Sequence, residues 1–278
     1  MIRLSAWQIQ TAEEVKTLLM ESNDVLTLAL FGSALKSDGQ FDLWSDLDCL
    51  LVVTDEAFSH YFPATEWLDD LLGTLFACAQ SETVFHGTTR ACFLDFRRLD
   101  FVITTQSNLE QLNKWPCIPF CLGVRLLFSH SDQISHILSQ TWPTPKLTQP
   151  SQAEFDELVN RFWFKSMVAS YKVVRNDQLI ALHLTLDLLR DCCVLGMMLR
   201  DRAEGTNVHR DGGIGNDIVE KLQRDGSDYS ATGILSLIEH TAFQFDQLAM
   251  QWSDTYLEKR HPLVEWLEQI KHGIDDIQ

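Results

Sequence analysis

The stretch that most constrains the fold of this chain runs from Val25 to Thr54 and reads VLTLALFGSALKSDGQFDLWSDLDCLLVVT. Two apolar runs are separated by a Gly32-Ser33 pair and a polar loop, and the second run opens with Asp46-Leu47-Asp48. Short runs of this kind, bounded by turn residues, are expected as buried strands, Val25 to Phe31 and Asp46 to Thr54. Side chains alternate along a strand, so Asp46 and Asp48 emerge on the same side. Two carboxylates that close repel each other unless a cation lies between them. A hard divalent cation such as Mg2+, which takes carboxylate oxygen and keeps positions open for phosphate, suits such a pair.

Gly32 and Ser33 fit the same picture. A glycine after a strand permits a tight turn where a Cβ would crowd an approaching group. Ser33 offers a hydroxyl, and a helical turn starting there would point free N–H groups at an anion. Asp38 and Asp42, in the intervening loop, read as solvated. Further on, Ala91 to Phe96 and Leu99 to Thr104 are expected as a strand pair turning at Arg97-Arg98. Asp100 lies just inside the second of these, where a carboxylate needs a partner. It is therefore the candidate to complete a three-carboxylate site, while Asp95, before the turn, reads as a solvated edge residue.

Composition narrows the classes. With 278 residues and a 45% hydrophobic share, the chain can bury a large core as one large domain or two medium ones. The amino terminus carries Glu13, Glu14 and Glu21 without a continuous apolar core, and no later run approaches a membrane span, so a cytoplasmic location is expected. Seven cysteines, mostly in apolar contexts, suggest reduced, buried thiols. Cys117 and Cys121 lack a second pair to complete a zinc site. A net charge of −17 disfavours nucleic acid and favours small cationic partners.

Periodicity places a first helix over Ala12 to Ser22, with Thr11 as N-cap and Val15, Leu18 and Leu19 buried. A second helix is expected over Ala64 to Ala79, burying Trp67, Leu68, Leu71, Leu72 and Leu75. Val124 to Ser129 reads as a last edge strand. Thr141 to Pro150, TWPTPKLTQP, reads as a proline-rich linker with a domain boundary near Pro150. Beyond it, helical spacing recurs over 152–175, 178–202, 214–224, 231–256 and 263–272, with breaks at Asn176-Asp177, Gly205-Thr206, Gly212-Gly213 and Asp225-Gly226. The first of these helices carries Lys165, Lys172 and Arg175 along one side.

Gly32-Ser33, Asp46-x-Asp48 and a later strand Asp100 together resemble the DNA polymerase beta-like nucleotidyltransferase superfamily. The segment FWFKSMVASYKVVRNDQLIALHLTLDLLRDCCVLGMM is similar to the helical domain of aminoglycoside 6-adenylyltransferases, the streptomycin-modifying group. The resemblance implies an α+β protein. Residues 1–150 would form a nucleotidyltransferase domain with a mixed sheet flanked by helices, and residues 151–278 an all-α, acceptor-binding bundle. It further implies two Mg2+ ions on Asp46, Asp48 and Asp100, and ATP or another nucleoside triphosphate as co-substrate. Gly32 and Ser33 would contact the nucleotide, and Lys172 resembles the family's triphosphate-facing lysine, with Arg175 as helper. Many relatives carry arginine directly after Gly-Ser; here Ala34 stands there, and Lys36 is the nearest cation. The implied reaction moves AMP to a hydroxyl of an aminoglycoside, with antibiotic resistance as its outcome. A lincosamide nucleotidyltransferase, or a non-catalytic nucleotide-binding or toxin–antitoxin protein on the same fold, are the alternatives.

Overall fold

A computed structural model describes residues 6–35, 44–95, 97–143, 150–204, 216–222 and 228–275. It divides into two compact units, Met1–Pro145 and Lys146–Gln278. Lys36, Asp38, Asp42, Phe96, linker residues 144–149 and the breaks at Gly205-Thr206, Gly212-Gly213 and Asp225-Gly226 lie outside the described residues, as does the side chain of Leu71.

In the first unit, α1 (Ala6–Met20) precedes β1 (Val25–Leu30), a short 3-10 turn (Gly32–Leu35) and β2 (Leu47–Val53). Then follow α2 (Phe58–Tyr61), α3 (Glu66–Leu72), β3 (Leu75–Glu82), β4 (Gly87–Phe93) and β5 (Arg98–Thr105). The unit closes with α4 (Gln106–Leu109), a 3-10 turn (Leu112–Lys114), β6 (Arg125–Ser129) and α5 (Asp132–Leu138). The six strands form one mixed sheet in the order β3-β4-β5-β2-β1-β6, in which β2 and β5 run parallel and every other pair antiparallel.

The central strands are largely apolar because both faces of the sheet are covered. On one face Leu28, Leu30, Leu51 and Phe101 pack with Val15 and Leu19 of α1 and Trp67 and Leu68 of α3. On the other, Ala29, Leu50, Val52 and Val102 pack beneath Leu109, Leu112, Trp115, Phe120 and Ile134. Even-numbered residues of β2 and β5 point to this second face, which is why Asp48 and Asp100 emerge together at its rim.

Four expectations need correction. The cysteines are not buried as a set: Cys49 and Cys192 are, but Cys78, Cys117 and Cys193 are exposed, Cys78 because it lies on the exposed strand β3. The first helix begins at Ala6, so Thr11 is not its cap but a buried interior residue, and Leu18 is 51% exposed because the buried stripe runs through Gln8, Thr11, Ala12, Val15 and Leu19. The helix from Ala64 stops at Leu72: Gly73 takes φ +94°, the Asp69 carboxylate accepts from the Leu75 N–H at 2.6 Å, and the chain continues as strand β3. The hairpin turns at Leu94 and Asp95 instead of Arg97-Arg98; Arg98 already sits in the β5 ladder opposite Cys92.

The second unit contains α6 (Gln152–Val174), α7 (Gln178–Glu204), α8 (Asn216–Leu222), α9 (Ala231–Trp252) and α10 (Arg260–Asp275). Ser151 and Glu154 form a reciprocal capping box at the start of α6, satisfying N–H groups that would otherwise be orphaned. The core centres on Phe162 stacked on Phe245 at 3.7 Å, surrounded by Leu188, Leu195, Ile238 and Leu267. No described helix is long and apolar enough to cross a membrane.

Candidate active site

The parallel pairing of β2 with β5 sets Asp48 directly across from Asp100, and Asp46 lies two residues earlier on the same side. Each of the three carboxylates offers an oxygen within 4.8 Å of the others'. The register is therefore what assembles the cluster; a slip of one residue would turn Asp100 into the opposite core.

The bend after β1 closes against this cluster. Gly32 has φ +65°, and a Cβ built there would lie 2.1 Å from an Asp48 carboxylate oxygen, so any side chain would push the carboxylate aside. The Phe31 N–H donates to the Asp48 carbonyl at 3.1 Å, fixing the bend to the strand. The hydroxyl of Ser33, the residue after Gly32, is buried with no hydrogen-bond partner among the described residues.

Two arginines complete the constellation. An Arg98 Nη lies 3.0 Å from Asp46, and Arg90 Nε lies 3.3 Å from Asp100. Sequence reasoning missed both. Alternation along β5 puts Arg98, two residues before Asp100, on the same face. Arg90 is reachable only through the β4–β5 register, which pairs it with Asp100.

Burial, and next the charge of Asp46, hold the Asp100 carboxyl above the usual carboxylate range, with Arg90 and Arg98 pulling the other way. Burial, then Asp48 and Asp100, push the neighbouring Cys49 thiol up, so it stays a neutral packing group. Three carboxylates, hard oxygen donors packed against a glycine that leaves them room, form a donor set that fits a divalent metal such as Mg2+.

Lys172 and Arg175 belong to the second unit, at the end of α6, where Lys172 Nζ is 2.9 Å from Asp177. Lys165, on the same helix, bridges Asp187 at 2.9 Å and the fully buried Asp191 at 3.0 Å. It is a strut within the bundle.

Comparison with known proteins finds no match among curated sequences. Among solved structures, the chain is similar to an aminoglycoside 6-adenyltransferase from Bacillus subtilis, with 13% identity, a TM-score of 0.38, and 96% of this chain and 99% of that chain covered. It is similar to a spectinomycin adenyltransferase from Enterococcus faecialis, solved with ATP and spectinomycin, at 14% identity and a TM-score of 0.31, covering 89% of this chain and 98% of that one. A nucleotidyltransferase-like protein from Exiguobacterium sibiricum matches at 11% identity and a TM-score of 0.29, covering 96% and 89%. Residues 9–200, more than half of the sequence and inclusive of every carboxylate just described, match the family model for streptomycin adenylyltransferase, and the chain therefore belongs to that family and is a nucleotidyltransferase.

Proposed function

We propose that the protein transfers AMP from ATP to a hydroxyl of a small cationic antibiotic, an aminoglycoside, releasing pyrophosphate. The observation that carries this reading is the meeting of Asp46, Asp48 and Asp100 beside the Gly32-Ser33 bend in a member of an adenylyltransferase family. The three carboxylates would hold two Mg2+ ions, which when bound supply charge neutralisation at the triphosphate and alignment for in-line displacement.

The chain's own groups do the rest. The bend after β1 presents backbone N–H groups and the Ser33 hydroxyl to phosphate oxygens. The acceptor hydroxyl attacks the α-phosphorus, the bond to the bridging oxygen breaks, and pyrophosphate leaves. Asp100, whose affinity for a proton is raised by its surroundings, eases loss of the hydroxyl proton. Lys172 and Arg175 are assigned to the triphosphate on the family resemblance alone, and acceptor recognition to residues 151–278. Release of Lys172 from Asp177 is then part of its role.

Incubation with ATP and Mg2+ against streptomycin, spectinomycin and a lincosamide, followed by mass spectrometry, tests the reading. One nucleoside monophosphate should appear on an aminoglycoside, and Asp46→Asn or Asp48→Asn should abolish it in protein of unchanged circular dichroism. Modification by either variant at the parental rate would remove the carboxylates from the mechanism; modification of the lincosamide alone would change the acceptor class.

A further inference from the structure

We infer that Arg90 and Arg98 are exchangeable counter-ions that keep divalent metal out of the site until a nucleoside triphosphate brings it in, and that they then bind that triphosphate. The inference rests on the functional reading above. Arg98 is matched to Asp46 and Arg90 to Asp100, so two of the three candidate metal ligands are already charge-compensated from within the sheet. A metal arriving alone must displace both guanidinium groups and leave two cations beside it without anionic partners. A metal arriving on a triphosphate brings new anions, to which the arginines can transfer, since planar guanidinium matches phosphate oxygen as well as carboxylate.

Exposure makes the exchange feasible. The Arg90 and Arg98 side chains are 68% and 54% exposed, whereas Asp100 is 16% and Asp46 28% exposed. The acids are held by the strands and the bases are held mainly by the acids, so the arginines are the partners free to move. Neither helps to fill the core, and both lie on the strand pair that carries Asp100. Ala34, next to the bend, is fully buried and brings no charge, and among the described residues Arg90 and Arg98 are cations placed against the cluster.

The test measures binding, with Mn2+ standing in for Mg2+ so that free ion can be counted by electron paramagnetic resonance, and α,β-methylene-ATP as a nucleotide that cannot be cleaved at the reacting bond. The Arg90→Gln/Arg98→Gln double variant should bind Mn2+ alone about tenfold more tightly than the parent, and the Mn2+–nucleotide complex about tenfold more weakly, the size expected for two exposed charge pairs. The Arg90→Lys/Arg98→Lys variant, which keeps the charge, should bind Mn2+ alone as weakly as the parent and recover most of the nucleotide affinity. An unchanged Mn2+ affinity in the glutamine variant overturns the inference, as does an unchanged affinity for the complex. Nucleotide binding that depends on Asp48 but not on the arginines overturns this inference only; a folded parent protein that binds no Mn2+–nucleotide overturns the functional reading as well.

Discussion

In the role proposed for it, Asp100 would serve chemistry at the expense of stability. Its carboxyl is held above the ordinary range chiefly by burial and by Asp46. Between the unfolded value, about 3.9, and the raised folded value, the folded chain keeps a proton that the unfolded chain has released. The contribution of this group to stability therefore falls as pH rises through that interval, and the penalty persists above it. Asp100→Asn removes the titration. At neutral pH it should melt at a higher temperature than the parent, with the difference shrinking below the ordinary carboxylate range, and it should not transfer nucleotide. A lower melting temperature at neutral pH would mean that the bond to Arg90 outweighs the cost of burying the charge. Gly32 makes the opposite point, because there the constraint is space. Gly32→Ala combines a left-handed φ, worth about 1 kcal/mol, with a Cβ aimed at Asp48. A displaced carboxylate should lower kcat/KM by about a hundredfold, with only a modest fall in melting temperature.

Among elements, the buried central strands were foretold by the sequence, as was the edge strand β6. β1, β2 and β5 carry apolar runs that are covered on both faces; the pair Asp46 and Asp48 followed from alternation, and Asp100 from the cost of a carboxylate in a buried strand. β3 escaped because it is an edge strand exposed along nearly its whole length, so Leu75, Phe76 and Ala79 carry no burial period and continued the α3 pattern by chance. Arg90 escaped for a related reason: its place opposite Asp100 is a fact of register between strands, which a single sequence does not encode locally. The same hairpin hides a second arginine with a structural task. Arg97 donates to Thr11 of α1 at 3.0 Å and to the Leu72 carbonyl at the end of α3 at 3.0 Å, while its Nε meets Asp95 at 2.6 Å. It ties two helices to the turn before β5. Arg97→Ala should destabilise the first unit by about 2–3 kcal/mol in chemical denaturation, as expected for several hydrogen bonds from a charged donor. Arg97→Lys should recover little, because one ammonium cannot span the three partners.

At the scale of the whole molecule, a net charge of −17 surrounds chemistry that handles a polyanion. Such a field raises the local concentration of cations and repels triphosphate, so the two substrates of the proposed reaction feel it with opposite sign. The carboxylate cluster adds to the repulsion, and the described cations beside it, Arg90 and Arg98, offset it only locally. Salt should therefore separate the two effects. Raising ionic strength from about 0.05 to about 0.5 M shortens the screening length from roughly 14 to roughly 4 Å. The KM for a multiply cationic acceptor should rise several-fold over that range, whereas the KM for the metal–nucleotide complex should fall or stay level. An acceptor carrying one positive charge should respond much less than one carrying several. Steady-state kinetics on such a pair of acceptors checks this directly. A KM for the polycation that does not move with salt would show that recognition relies on short, desolvated contacts in place of the long-range field, and the acidic surface would then have no part in selecting the acceptor.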